Sequence, residues 1–326
     1  MPPTYRNPKQ IGGIFIAKLI VTEKPSVAMS YAKVLGVHGR QDGYLEGSGY
    51  IVSWCVGHLV ELAPPSAYGE QYVEWSITDL PILPQKWQYL VSASTKKQFS
   101  VLKKLMHRAD VDTVVNSCDS GREGELIFRY LYEYIGCATP FDRLWISSLT
   151  DKAIREGLER IESGNKYDNL YYAAQARSEA DWLVGINGTQ ALSVAAGRGT
   201  YSVGRVQTPT LAMVCKRFWE NRRFTPEPVH QLHFTTSSVS VNEVVKFSSM
   251  EKWKNKEEAT TLYNKVKEQM CATIVKVEKK EKVENPPLLY DLTTLQKEAN
   301  TKHGFTAEQT LELVQKLYEA KLVTYP

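Results

Sequence analysis

Two short stretches of the sequence concentrate groups that can handle a phosphate. The first is Val21-Thr22-Glu23-Lys24-Pro25-Ser26, where a carboxylate and an ammonium follow an apolar run. The second is Asn116-Ser117-Cys118-Asp119-Ser120-Gly121-Arg122-Glu123-Gly124-Glu125, an acidic turn flanked by glycines. Carboxylates gathered at one edge suit a hard divalent cation, magnesium above all, which takes one or two carboxylates and keeps its other positions for water and phosphate oxygens. Arg122 adds a fork of N–H donors for a phosphate. Taken singly, the first stretch also reads as a helix start and the second as a solvated turn. Their joint occurrence favours metal-assisted phosphate chemistry.

Such groups must be held by strands and helices, and the first 150 residues supply them. Residues 19–22 read as a short strand, after which Pro25 occupies the first position of a helix and Gly36 ends it. Residues 50–56 and 113–118 read as strands, and residues 94–109 as a helix. Leu126, Ile127, Tyr130, Leu131 and Tyr134 line another helix, and residues 144–146 read as a further strand. This alternation predicts an α/β fold with a mainly parallel sheet flanked by helices. In such sheets ligands bind at the carboxyl ends of strands, where both acidic stretches fall.

The rest of the chain differs. Residues 151–224 carry apolar residues at helical spacing, with Ile154, Leu158 and Ile161 as one set and Leu211, Val214 and Phe218 as another. From Pro226 the pattern turns to strands around Leu232 and Phe234 and around Val239 and Val241, then a helix near Leu262 and Val266 and a strand over 274–277. A charged run and Asn285-Pro286-Pro287 form a linker before helical patterns return.

The 326 residues allow about two domains of ordinary size. A 43% hydrophobic, 23% charged composition excludes a disordered or collagen-like chain. No apolar run approaches a membrane span. Forty Lys and Arg against 36 Asp and Glu give a charge of +4, too small by itself to identify a nucleic-acid ligand. The five scattered cysteines form no CxxC pair, which disfavours a zinc site and fits reduced thiols in the cytoplasm.

Glu23 after the first strand, followed by an acidic DxxxE turn, resembles the TOPRIM domain of topoisomerases and primases. Further stretches occur in order: Gly57-His58-Leu59-Val60-Glu61-Leu62, Gln175-Ala176-Arg177, Asp181-Trp182-Leu183-Val184-Gly185, and Ser202-Val203-Gly204-Arg205-Val206-Gln207-Thr208-Pro209. Together they resemble the type IA DNA topoisomerases across essentially the whole chain. That resemblance implies a TOPRIM domain over 1–150 and a helical single-stranded-DNA-binding domain over 151–225. It also implies part of a β-rich gate domain over 226–285 and the start of the nucleophile-bearing domain over 286–326.

In that family a tyrosine attacks one DNA strand, becomes linked to the 5′-phosphate, and the break is resealed after another strand has passed. The resemblance makes Glu23 a metal ligand or proton relay and Lys24 a phosphate contact. It makes Asp119 and Glu123 metal-binding acids, with Arg122 beside the reacting phosphate and magnesium as the cofactor. Many members carry a second aspartate where this chain has Gly121, so one magnesium is expected rather than two. DNA contacts are expected from His58, Arg177, Asp181, Ser202, Gly204, Arg205, Gln207 and Thr208, in a monomer. The attacking tyrosine is expected beyond Pro326, with Tyr325 only the tyrosine before that proline, so the chain alone is expected to bind single strands without relaxing supercoils. A TOPRIM nuclease or primase would share the acids but needs neither the QAR nor the SVGRVQTP stretch. A non-catalytic single-strand-binding protein is the other alternative.

Overall fold

A computed structural model describes residues 10–11, 14–237, 244–269 and 273–325. The chain divides into two compact units, residues 1–208 with 289–326, and residues 209–288.

The first unit is built on a seven-stranded sheet. A small pair, β1 (Gln10–Ile11) and β2 (Ile14–Phe15), precedes it. Its strands are β3 (Ala17–Thr22), the hairpin β4 (Gly39–Gln41) and β5 (Tyr44–Gly47), β6 (Tyr50–Trp54), β9 (Val111–Ser117), β10 (Phe141–Arg143) and β11 (Glu162–Ser163). A separate pair, β7 (Val60–Leu62) and β8 (Tyr89–Val91), lies between β6 and β9 in sequence. The spatial order is β11-β10-β9-β3-β6-β5-β4. The pairs β10–β9, β9–β3 and β3–β6 are parallel and both edges are antiparallel.

Alternation along β3 explains its central position. Leu19 and Val21 enter one apolar cluster and Ile20 the other, so the strand is covered on both faces. Helices α2 (Lys96–Met106) and α3 (Arg122–Ile135) contribute Leu102, Leu105, Phe128 and Leu131 to the first cluster. Helices α1 (Pro25–Leu35) and α4 (Asp151–Glu159) contribute Val27, Tyr31 and Ile154 to the second. Pro25 opens α1, and Gly36 at φ +69° closes it in the left-handed conformation. The fourth parallel strand is Phe141–Arg143, not the expected 144–146: after Arg143 only Leu144 N still bonds β9, at the Asn116 carbonyl, and the Ile146 carbonyl accepts from Ser120 Oγ of the acidic turn. The β4–β5 hairpin was not anticipated; its short, polar first strand carries no alternation signal.

Helix α5 (Asp168–Ala196) runs for 29 residues. Trp182 pins it: the indole donates to the Ala63 carbonyl at 2.9 Å and meets Tyr68 and Trp87 edge-on. Asn187 adds bonds to Ile82 N and O at 2.6 and 3.1 Å. Trp182 is therefore a packing residue. Helices α8 (Leu292–His303) and α9 (Ala307–Glu319) complete this unit, and Tyr318 of α9 is buried in the second cluster.

Helix α6 (Gln207–Arg222) leads into the second unit, which holds the antiparallel hairpin β12 (His233–Ser237) and β13 (Val244–Ser248) and helix α7 (Lys256–Val266). The strand anticipated over 274–277 does not form; Ile274, Val275 and Val277 are exposed irregular chain, with no described strand beside them to pair. The expectations at Val239 and Val241 lie outside the described residues. Among the described residues no helix is long and apolar enough to cross a membrane.

Candidate active site

Strands β3 and β9 are parallel neighbours whose last residues, Thr22 and Ser117, are in register. Glu23 and Asp119 therefore emerge side by side at the carboxyl edge of the sheet, both largely buried. Burial and the facing Asp119 charge push the Glu23 carboxyl up to about 7, against the pull of Lys24. Lys24 Nζ lies 3.6 Å from Asp119 Oδ2 and 4.0 Å from Glu23 Oε1. Glu23 Oε2 and Asp119 Oδ2 are buried without a hydrogen-bond partner. Adjacent, buried carboxylate oxygens without hydrogen-bond partners fit a hard divalent cation, which would relieve both their repulsion and their desolvation.

The turn that presents Asp119 is braced by a residue the sequence reading missed. Arg143, at the end of β10, is 0% exposed. Its Nη1 donates to the carbonyls of Asn116, Cys118 and Leu144 at 3.1, 2.8 and 3.0 Å, and its Nη2 to the Asp119 carbonyl at 2.8 Å. Its Nε lies 3.1 Å from Glu125 Oε2. Glu125 also accepts from Asn116 Nδ2 at 2.9 Å and Arg129 Nε at 3.0 Å, and Arg129 continues to Asp168 at 2.6 Å. Burial raises the Glu125 carboxyl in spite of the arginines. The only advance signal was an arginine directly before the apolar stretch Leu144-Trp145-Ile146. Gly124 is required here: a Cβ would stand 2.2 Å from the Asp119 carbonyl oxygen. Gly121 is the reverse case, extended and with nothing within 4 Å of a built Cβ.

The other acid of this turn points elsewhere. Glu123, in the first turn of α3, stands 3.5 Å from His58 Nε2 and 3.7 Å from Arg177 Nη1. Arg177 also faces Asp181 at 3.7 Å, and Asp181 accepts from Arg205 Nε at 2.6 Å. Five charged or titratable side chains thus alternate in a row, His58–Glu123–Arg177–Asp181–Arg205. Among the described residues no group of three or more His, Cys, Asp or Glu is placed to hold a metal, so Glu123 is not gathered with Glu23 and Asp119. Arg122 is exposed at the first position of α3.

Arg205 reaches the row because residues 201–204 lie along α5. Tyr201 N and Val203 N donate to Ser193 Oγ and Thr189 Oγ1 at 2.8 and 2.9 Å. Gly188 leaves room, since a Cβ there would come within 2.8 Å of Val203. Ser202, Gly204, Gln207 and Thr208 bond to one another around the start of α6: Gln207 Nε2 donates to Ser202 Oγ at 2.9 Å and Gly204 N to Thr208 Oγ1 at 3.1 Å.

A tyrosine completes the acidic site. Tyr325 N donates to the Ser147 carbonyl at 2.9 Å, its ring meets Tyr318 edge-on at 5.3 Å, and Lys321 Nζ reaches Asp151 at 2.5 Å. The Tyr325 phenol lies against Asp119. Burial raises its pKa first, then the Asp119 charge and hydrogen bond, then Glu23. Tyr318 is raised by burial and the same two acids. The four cysteines described, Cys55, Cys118, Cys137 and Cys215, are free thiols.

Paired acids at the carboxyl ends of adjacent parallel strands are the arrangement of a Toprim domain, and residues 18–149 match the Toprim domain family. Toprim domains bind divalent metal ions. Residues 165–326 match the family described as DNA topoisomerase. With both domains in one chain, it belongs to the type IA DNA topoisomerases. It is 46% identical over 311 residues to DNA topoisomerase 3 of Shouchella clausii and 44% identical over 309 residues to that of Bacillus subtilis. These matches cover 95% and 94% of this chain, which spans 42% of the length of either relative. Full-length topoisomerase I from Thermotoga maritima superposes with a TM-score of 0.65 at 25% identity, over 94% of this chain and 48% of that one.

Two outcomes are expected. Arg143→Met leaves Glu125 and the turn carbonyls unmatched, so urea unfolding should show a loss of about 3–5 kcal/mol, partly recovered in Arg143→Met/Glu125→Leu. A stable single variant would contradict the brace. Without divalent metal, Glu23→Gln removes a carboxyl whose folded pKa of about 7 exceeds its ordinary 4.5. Its stabilising effect should be absent below pH 4.5, grow toward pH 7 and level off above it, at ~3 kcal/mol by thermal unfolding.

Proposed function

We propose that the chain carries the strand-cleaving and resealing centre of a type IA DNA topoisomerase, acting on single-stranded segments of DNA in the cytoplasm, with Tyr325 as nucleophile. The observation that carries this is the Tyr325 phenol lodged against Asp119 and near Glu23. This assignment replaces the expectation of a nucleophile beyond Pro326: the tyrosine before the proline is the one beside the acids.

The geometry supports the following residue roles. Asp119 is placed to accept the phenolic proton as the Tyr325 oxygen bonds to phosphorus. The bond from phosphorus to the 3′ oxygen breaks, and that oxygen needs a proton. Glu23, with a pKa near neutrality, can hold one. Lys24 sets a positive charge beside both carboxylates for the phosphate's non-bridging oxygens. Magnesium held by Glu23 and Asp119 would supply further neutralisation of that charge. One phosphodiester replaces another, so resealing runs back through the same groups. Arg177 and Arg205 line the approach and hold backbone phosphates, which carry no sequence information.

Tyr325→Phe should abolish the covalent protein–DNA adduct trapped by denaturant after incubation with a labelled single strand and magnesium, while single-strand binding stays within about twofold. An adduct surviving in Tyr325→Phe would overturn the assignment. Arg177→Ala or Arg205→Ala should weaken binding for all sequences and each reduce the slope of log affinity against log salt by ~0.7; fluorescence anisotropy across a salt series measures this.

A further inference from the structure

The Glu123 carboxylate bridges two groups that a phosphate would bridge. One oxygen faces the His58 imidazole at 3.5 Å and the other the Arg177 guanidinium at 3.7 Å. The side chain is 59% exposed and sits in the first turn of α3, where the helix dipole favours an anion of any kind. Its ion pairs are with these two groups, and among the described residues it is not gathered with Glu23 and Asp119 into a cluster of three acids. Exposed pairs of this kind are held by roughly 0–1 kcal/mol, so a phosphate tethered to further contacts displaces the carboxylate at little cost. Asp181 repeats the pattern one step along, between Arg177 and Arg205.

We infer that His58 and Arg177 form a seat for one backbone phosphate of a DNA strand, and that Glu123 fills this seat in the DNA-free protein as an internal stand-in. The inference rests on the DNA-binding reading above and adds a competition to it. A strand enters the seat only by expelling Glu123. The basic row is thereby neutral toward stray anions until a ligand with several correctly spaced phosphates arrives. By linkage, whatever draws Glu123 away from His58 and Arg177 strengthens strand binding, and strand binding frees Glu123 for other partners.

The test is binding of a labelled oligothymidylate in EDTA by wild type, Glu123→Gln, Arg177→Gln and the double variant. Glu123→Gln should bind roughly threefold more tightly with a steeper salt slope. In the Arg177→Gln background the same change should give no gain, because the seat is already broken. An equal gain in both backgrounds would mean that only net charge matters and would overturn the seat, as would no gain in either. If wild type does not bind the oligonucleotide at all, it is the DNA-binding reading that fails. Thermal unfolding of each variant separates lost binding from lost folding.

Discussion

One buried guanidinium decides the shape of the site. Arg143 has no water to donate to, so its N–H groups must find oxygens inside the protein, and the carbonyls of the Asn116–Asp119 turn are the oxygens in reach. Glu125 supplies the compensating charge, and Arg129 and Asp168 extend the chain of pairs into the start of α5. The same network therefore positions Asp119 and ties it to the helix that carries Arg177 and Asp181. Such a network costs a great deal to break at one member, which gives the turn a single well-defined form.

The three acids of the Asp119–Glu125 stretch illustrate how backbone position outranks residue type. Asp119 continues a strand and points off the sheet edge. Glu123, on the exposed side of the first turn of α3, faces solvent and basic neighbours. Glu125, two residues on, faces the sheet and is sealed in. Gly124 between them is what lets the helix start press against the Asp119 turn.

Much of this was legible in the sequence. The apolar runs of β3 and β9 and the stripes of α1, α2 and α3 gave the parallel α/β layout, and strand ends then located Glu23 and Asp119. What was not legible depends on distance in sequence. Nothing near Arg143 announces that it will meet residues 116–119 and 125, and an arginine directly before an apolar stretch reads as an edge. Helical spacing put Arg177 and Asp181 together, but Arg205 joins them only because Gly188 and Thr189 hold the 201–204 segment on α5. The proposal for Tyr325 depends on distance in the same way: its proximity to Asp119 is a tertiary fact, set by Tyr318 burial and the Lys321–Asp151 pair.

The acids and the phenol lie far apart in sequence, at Glu23 and at Tyr325. During synthesis the carboxylates and Lys24 emerge early, together with the sheet that carries them. The phenol joins only after about 300 further residues have been made and Tyr318 of α9 has entered the core beside the sheet, a closure over a long stretch of chain. On the proposed roles, a growing polypeptide therefore carries the acids and Lys24 before it carries the proposed nucleophile. On that reading, the order of translation separates holding a strand from cutting it.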